Sequence, residues 1–200
     1  MHLSNEVIKQ KVNVSKMKLR KLENKDADRM LEWMHDDNVV EFMQADFKNK
    51  TIDDCENFIR TAKNDICNCH MAIVNDNDEY MGTVSLKNIQ NDNAEFAITI
   101  CRDAMGMGYS KFGMHEIIRY GFEELDLANI YWCVSPENKR AIKFYDKNGY
   151  PRHKIDAKFS GVLHPGTDSE IYLVSGFKRE NVKKLNMKIY FPLLRVYNAA

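Results

Sequence analysis

The chain opens its regular pattern at Lys18-Leu19-Arg20-Lys21-Leu22, where apolar and polar positions alternate as in a short strand. Asp26 then stands as an N-cap before Ala27 to Met34, in which Met30, Leu31, Trp33 and Met34 fall at helical spacing. A second helix is expected over residues 51–63, with Thr51 or Asp53 near its start and Phe58 and Ile59 inside. Strands follow at His70 to Val74 and Met81 to Leu86, separated by the turn residues Asn75-Asp76-Asn77-Asp78. After the polar turn Gln90 to Asn93 comes a third central strand. In it Ala94, Phe96, Ile98 and Ile100 share one face, and Glu95, Ala97 and Thr99 the other. Met114, Ile117, Ile118, Gly121, Phe122 and Leu125 then recur at spacings of three and four, an amphipathic helix beginning near Tyr109. A strand over Ile130 to Val134, the turn Ser135-Pro136, and a helix from Lys139 to Lys147 come next. Asn138 opens that helix and Asn148-Gly149 stops it. Ile171 to Val174 is the last strand. The predicted order is β-α-α-β-β-β-α-β-α-β-β: an α/β fold with a mostly antiparallel meander in the middle and helices covering the sheet.

Composition narrows the partners. The 200 residues suit one domain, and 44% hydrophobic with 29% charged residues is a globular balance rather than a disordered or coiled-coil one. Such a chain buries enough surface to need no disulfide or metal. Lys plus Arg and Asp plus Glu are both 29, so bulk charge does not point to a nucleic-acid partner. No apolar run is long enough for a membrane span, and residues 1–16 lack a secretory apolar segment. The five cysteines, without a Cys-x-x-Cys repeat, read as reduced thiols in the cytoplasm. Cys67-Asn68-Cys69-His70 lacks a second ligand pair at zinc spacing and runs into an apolar strand, so no metal is expected. Abundant Lys (20) and Asn (19) suggest an AT-rich, bacterial genome. Residues 1–16 read as an N-terminal arm and 17–175 as the domain. Residues 176–200 read as a basic extension with an apolar patch, docked on the domain or forming a homodimer contact.

Candidate chemistry begins at Met105-Gly106-Met107-Gly108-Tyr109-Ser110, between a strand end and a helix start. Glycines there let successive N–H groups turn outward. The helix start adds free donors and a partial positive charge, a combination suited to phosphate. The turn is neither a P-loop nor the dinucleotide fingerprint, since no Gly-Lys-Ser/Thr ends it and position 111 is Lys. A glycine pair also occurs in turns for shape alone. About 30 residues on, Asn138 and Tyr145 lie seven apart on one helix face. By themselves they also fit a cap and a core aromatic.

Together these segments resemble the GNAT superfamily of acetyl-CoA-dependent N-acetyltransferases, over about Lys18 to Val174. The resemblance rests on AEFAITI, GMGYS, SKFGMHEIIRYGFEEL, NIYWCVSPEN and NKRAIKFYDKNGY. The last, Asn-x-x-Ala-x-x-x-Tyr-x-x-x-Gly-Tyr, is the most specific. The family's phosphate motif is Gln/Arg-x-x-Gly-x-Gly/Ala, and this chain departs from it. With Gly108 as the central glycine the first position is Met105, and with Gly106 it is Asp103. Arg102 is the nearby charge offered in its place.

The resemblance implies acetyl-CoA as co-substrate, with its pyrophosphate on Met105, Gly106, Met107, Gly108, Tyr109 and Ser110. It places the pantetheine arm along Ile98 and Ile100, with Asn138 holding it. The strands of residues 94–100 and 130–134 would splay around the thioester. Direct attack by an amine requires no nucleophilic residue, so Cys101 and Cys133 read as core thiols. Glu95 is the candidate base for an ammonium of reference pKa ~10.4, and Tyr145 the candidate acid for the leaving thiolate. Trp33, Asp36, Asp37 and Glu41 fall where the family's helical cap meets its acceptor. That stretch resembles ribosomal-protein N-terminal, polyamine and amino-sugar acetyltransferases, and its acids suit a cationic small-molecule or peptide amine. A solvated acidic loop is the plainer reading. A non-catalytic acetyl-CoA-binding module and an unrelated mononucleotide-binding protein are the competing functions.

Overall fold

In the computed structural model, β1 (Lys18–Lys21) leads through a 3-10 turn at Asn24–Asp26 into α1 (Ala27–Met34). The structure describes residues 17–43, 45–153 and 170–175. The expected N-terminal arm and the C-terminal extension lie outside the described residues. Asp26 does not act as a conventional N-cap. Its backbone is already helical, and its carboxylate turns back to accept from the Glu23 N–H (2.9 Å) and from both ends of the Arg20 guanidinium (2.7 Å each). The pair is what permits an acid to be 1% exposed. After α1, the stretch read as an acidic loop contains a helical turn, α2 (Asp37–Val40), with Asp36 as its N-cap and Val39 and Val40 buried. α3 (Ile52–Ala62) starts at a capping box between Thr51 and Asp54.

β2 (Cys69–Val74), β3 (Tyr80–Gln90) and β4 (Asn93–Ile100) form the antiparallel meander. β3 and β4 run closer to their hairpin tip than expected, because Asn91 (φ 47°) and Asp92 (φ 59°) close it as a two-residue turn. Both residue types tolerate this left-handed backbone. α4 (Tyr109–Glu123), β5 (Asn129–Val134) and α5 (Lys139–Lys147) follow, then β6 (Arg152–His153) and β7 (Glu170–Ser175). The seven strands form one sheet in the order β1-β2-β3-β4-β5-β7-β6. Among the described residues only β4 and β5 are parallel, the crossover being α4.

α4 packs on the sheet face carrying Ile73, Leu86, Ile98 and Ile130. Gly113 lies against Ile73 and Ile98, and Gly121 against Ile130 and Leu86. The other face meets α1 and α3. There Trp33 Nε1 donates to Tyr80 Oη (3.1 Å), and Phe58 stacks edge-on with His70 (4.8 Å). Among the described residues no helix is long and apolar enough to cross a membrane.

The feature that positions the site is the divergence of β4 and β5. They pair at Asn93↔Asn129, Ala94↔Ile130 and Glu95↔Tyr131, and then part. β4 stays paired with β3 as far as Ile100↔Gly82, and β5 with β7 as far as Val134↔Glu170. The splay expected between the two strands is therefore present as a wedge opening from Glu95 and Tyr131 toward the start of α4.

Candidate active site

The wide end of the wedge leads to the turn before α4. Gly106 (φ 79°) and Gly108 (φ 97°) both take left-handed backbone, which glycine adopts without a Cβ penalty. Gly108 is the N-cap of α4 and, having no side chain, leaves the helix start uncapped. The amides of Met105 and Met107 are satisfied locally, by Arg102 O and Ala104 O (3.3 Å each). Those of Gly106, Gly108, Tyr109, Ser110 and Lys111 find no acceptor among the described residues. The first turns of α1, α2 and α3 contain aspartates, but that of α4 has none and carries Lys111 instead. Helix starts usually stabilise acids by tenths of a kcal/mol to about 1 kcal/mol. Here both charge and N–H donors remain for an external anion. A Cβ added at Gly106 would meet nothing within 4 Å, so the turn is open as well as electropositive. This donor set fits a diphosphate.

Met107 is 52% exposed at the tip of the turn, whereas the Tyr109 side chain is buried and its phenol is raised by that burial. Ile100 is buried against the core and Ile98 lies under α4. Any contact they make with a ligand in the wedge is thus through the backbone edge of β4. Arg102 does not join the turn: its guanidinium lies 3.5 Å from the Asp36 carboxylate. The cation at the turn is one the sequence reading missed. Arg140 of α5 donates from Nη1 to the sulfur of Met105 (3.1 Å). Only the fold brings residues 35 positions apart into contact, and no local pattern signals it.

Tyr145 is buried and is held on the β5 wall of the wedge, its ring 5.2 Å from Trp132. Asn138 is the N-cap of α5, with Oδ1 accepting from Ala141 N–H (3.0 Å), and Nδ2 donates to no acceptor among the described residues. Glu95 sits at the narrow end, half-buried. Its carboxylate is held by Lys87 (3.0 Å) and Asn88 (3.1 Å). Tyr131 and Cys133 share its face of the sheet by alternation. Burial first, then the Glu95 charge, pushes the Tyr131 phenol to about 12 and the Cys133 thiol to about 11. Both are therefore protonated at neutral pH. Cys101 is buried as expected and its thiol is pushed to about 12. Cys133, expected in the core, instead reaches the surface, because β5 has lost its β4 neighbour there.

On the same side as Glu95 lies a cavity of about 400 Å³ bounded by Arg29, Glu32, Trp33, Asp36, Cys101 and Arg102. The acids expected to face an acceptor are distributed unevenly around it. Asp36 lines the cavity. Its carboxyl lies below the usual range through the Asn38 side-chain bond and, more weakly, Arg102. Asp37 pairs with Lys48 (2.6 Å) outside it. Glu41 is exposed at the end of α2. Trp33 is a core residue whose indole is anchored on Tyr80 and packs edge-on with Phe47 (5.2 Å). The Cys67–His70 segment begins β2, with Asp65 Oδ1 accepting from the Cys67 amide (2.8 Å). Among the described residues no group of three or more metal-ligating side chains occurs.

The profile described as "Acetyltransferase (GNAT) domain" matches residues 16–151. An uncharacterised N-acetyltransferase of Bacillus licheniformis, p20, is 29% identical over 178 residues, covering 82% of this chain and 94% of that protein. Acetyltransferase PseH of Campylobacter jejuni is 27% identical over 140 residues, covering 69% and 85%. Among solved structures, a Vibrio cholerae spermidine N-acetyltransferase in complex with CoA and spermine superposes with a TM-score of 0.66. It is 21% identical, covering 80% of this chain and 96% of that one, a likeness of fold.

Proposed function

This chain belongs to the acetyltransferase (GNAT) family, and on that premise we propose that it transfers the acetyl group of acetyl-CoA to a primary amine by direct attack. The observation that carries the reading is the continuity of the β4–β5 wedge with the uncapped, glycine-built start of α4. One end accepts an extended arm, and the other offers unsatisfied amides to a diphosphate.

Bound acetyl-CoA supplies an acetyl group activated as a thioester. The residues of the chain supply position and proton transfer. The β4 backbone edge around Ile98 and Ile100 holds the arm, with Asn138 Nδ2 as a further donor from α5. An amine acceptor arrives mostly protonated at neutral pH and must lose a proton before it attacks. Glu95 takes that proton, directly or through a water, at the narrow end of the wedge. Tyr145 Oη returns a proton to the departing sulfur, since a phenol is a neutral donor at pH 7. No cysteine takes part. The high thiol value of the buried Cys101 supports this, because the thiolate is the nucleophilic form.

The acceptor is a cationic amine drawn to the cavity beside Asp36. A polyamine, an amino-sugar nucleotide and a peptide with a free N-terminus all qualify by charge. A panel of these three with acetyl-CoA, read by thiol release, tests the reading. Turnover of one of them supports it. Binding of acetyl-CoA without turnover of any amine would leave a non-catalytic binding module, and failure to bind would remove the reading.

A further inference from the structure

Of the described arginines, Arg20, Arg29, Arg102, Arg119 and Arg152 each pair with a carboxylate, and Arg60 donates to the side-chain oxygen of Asn57. Arg140 does neither. Its Nη1 rests on a thioether, a weak acceptor, and it makes no ion pair among the described residues. The thioether belongs to Met105, where the family's phosphate motif would have Gln or Arg. The start of α4 is a partial positive end, Lys111 lies in its first turn, and both carboxylate oxygens of the nearby Asp103 already accept from Arg29 Nη2 (2.7 and 2.8 Å). Asp76, Glu79 and Asp103 reach the Tyr109 phenol only through the field, and among the described residues no carboxylate contacts Arg140.

We propose that Arg140 supplies from α5 the side-chain charge that the turn before α4 lacks, gripping the diphosphate of the acetyl donor while Nη1 stays against Met105. This rests on the acetyl-CoA reading and deepens it. The main-chain amides of Gly106 and Gly108 to Lys111 hold one phosphate, and the open edge of the guanidinium holds the other. Arginine suits this task because its planar fork offers paired donors to phosphate oxygens. Specificity for a diphosphate over a single phosphate follows from needing both elements together.

The test uses the full chain and three ligands: CoA, dephospho-CoA, which lacks the 3′-phosphate, and the donor S-acetylpantetheine, which has no phosphate. Calorimetry gives the affinity of the first two, and steady-state kinetics the KM of the third. Arg140→Gln is expected to weaken CoA and dephospho-CoA alike, by about tenfold, the scale of one exposed charge-assisted contact. It is also expected to flatten the salt dependence of binding, while the KM for S-acetylpantetheine and the ligand-free Tm stay at wild-type values. Three results would overturn the proposal: unchanged CoA affinity; a loss seen with CoA but not dephospho-CoA, which would put Arg140 on the 3′-phosphate; or an equal loss with S-acetylpantetheine, which would make its role structural. Failure of the wild-type protein to bind CoA would instead strike the acetyl-CoA reading itself.

Discussion

The ring of Tyr145 lies 5.2 Å from that of Trp132 at an interplanar angle of 52°, and Trp132 meets Phe96 edge-on at 5.3 Å. Phe96 and Trp132 are the first residues past the last β4–β5 pair, Glu95↔Tyr131. An aromatic cluster thus mounts the phenol on the walls of the wedge itself, and Tyr150 closes the cluster at 5.3 Å from Trp132. Strand alternation puts Glu95 on the opposite face from Phe96. On the proposed mechanism, proton removal and proton delivery fall on opposite faces of the sheet, where the two strands part.

Tyr145→Phe keeps the ring in that cluster and removes only the hydroxyl. Its kcat is expected to fall on the order of 10²-fold, the scale of a lost general acid, with acetyl-CoA affinity near wild type. Steady-state kinetics beside calorimetry separate the two quantities. Unchanged turnover would take Tyr145 out of the mechanism.

Glu95→Gln preserves shape and a hydrogen-bond acceptor for Lys87 but cannot take a proton. On the proposed mechanism kcat/KM drops on the order of 10²-fold with an amine acceptor. An amine that is neutral at the assay pH needs less help and suffers a smaller loss. Wild-type rates for the variant across the pH range would leave Glu95 as a surface partner of Lys87.

Much of this was legible in the chain because its signals are local. The helix Lys139–Lys147 emerges with its expected ends: Asn138 caps one, and Gly149, at φ 77°, lies just past the other. The glycine turn and the wedge strands likewise fall where motif and alternation put them. What was not legible depends on residues far apart in sequence. Asp26 has the residue type and position of a cap, yet Arg20 captures it as a buried partner. The acids of residues 36–41 read as a free cluster, but Arg102 and Lys48 neutralise two of them. Arg140 carries no local signal, and only the fold sets it on Met105.

Gly113 is where α4 approaches the sheet most closely: a Cβ there would overlap Ile73 Cδ1 and stand 3.6 Å from Ile98 Cδ1. Gly113→Ala therefore trades better helix propensity for overpacking. The net effect is a loss of about 1–3 kcal/mol, since the site is fully enclosed. The midpoint of urea unfolding measures it. A stabilised variant would show that Ile73 moves aside without cost.

Asp78 closes the turn between β2 and β3, and its carboxyl is held down to about 2, first by Lys25 and then by Arg20. In the unfolded chain it titrates near ~3.9. Because the folded value is the lower one, its stabilising contribution is complete above the unfolded value and fades as pH falls through the folded one. The side chain is 37% exposed, so the effect is screened and modest. The Tm difference between wild type and Asp78→Asn should be present at pH 6 and shrink between pH 4 and pH 2. A difference that stayed constant across that window would contradict the ion-pair assignment.

The central claim is that the amides at the start of α4 grip the diphosphate. Its most direct test is an amide-resolved NMR titration with CoA. The account predicts that the resonances of Gly106, Gly108, Tyr109, Ser110 and Lys111 shift most, and saturate together with the calorimetric isotherm. Saturable CoA binding that left those amides unmoved while others shifted would contradict it.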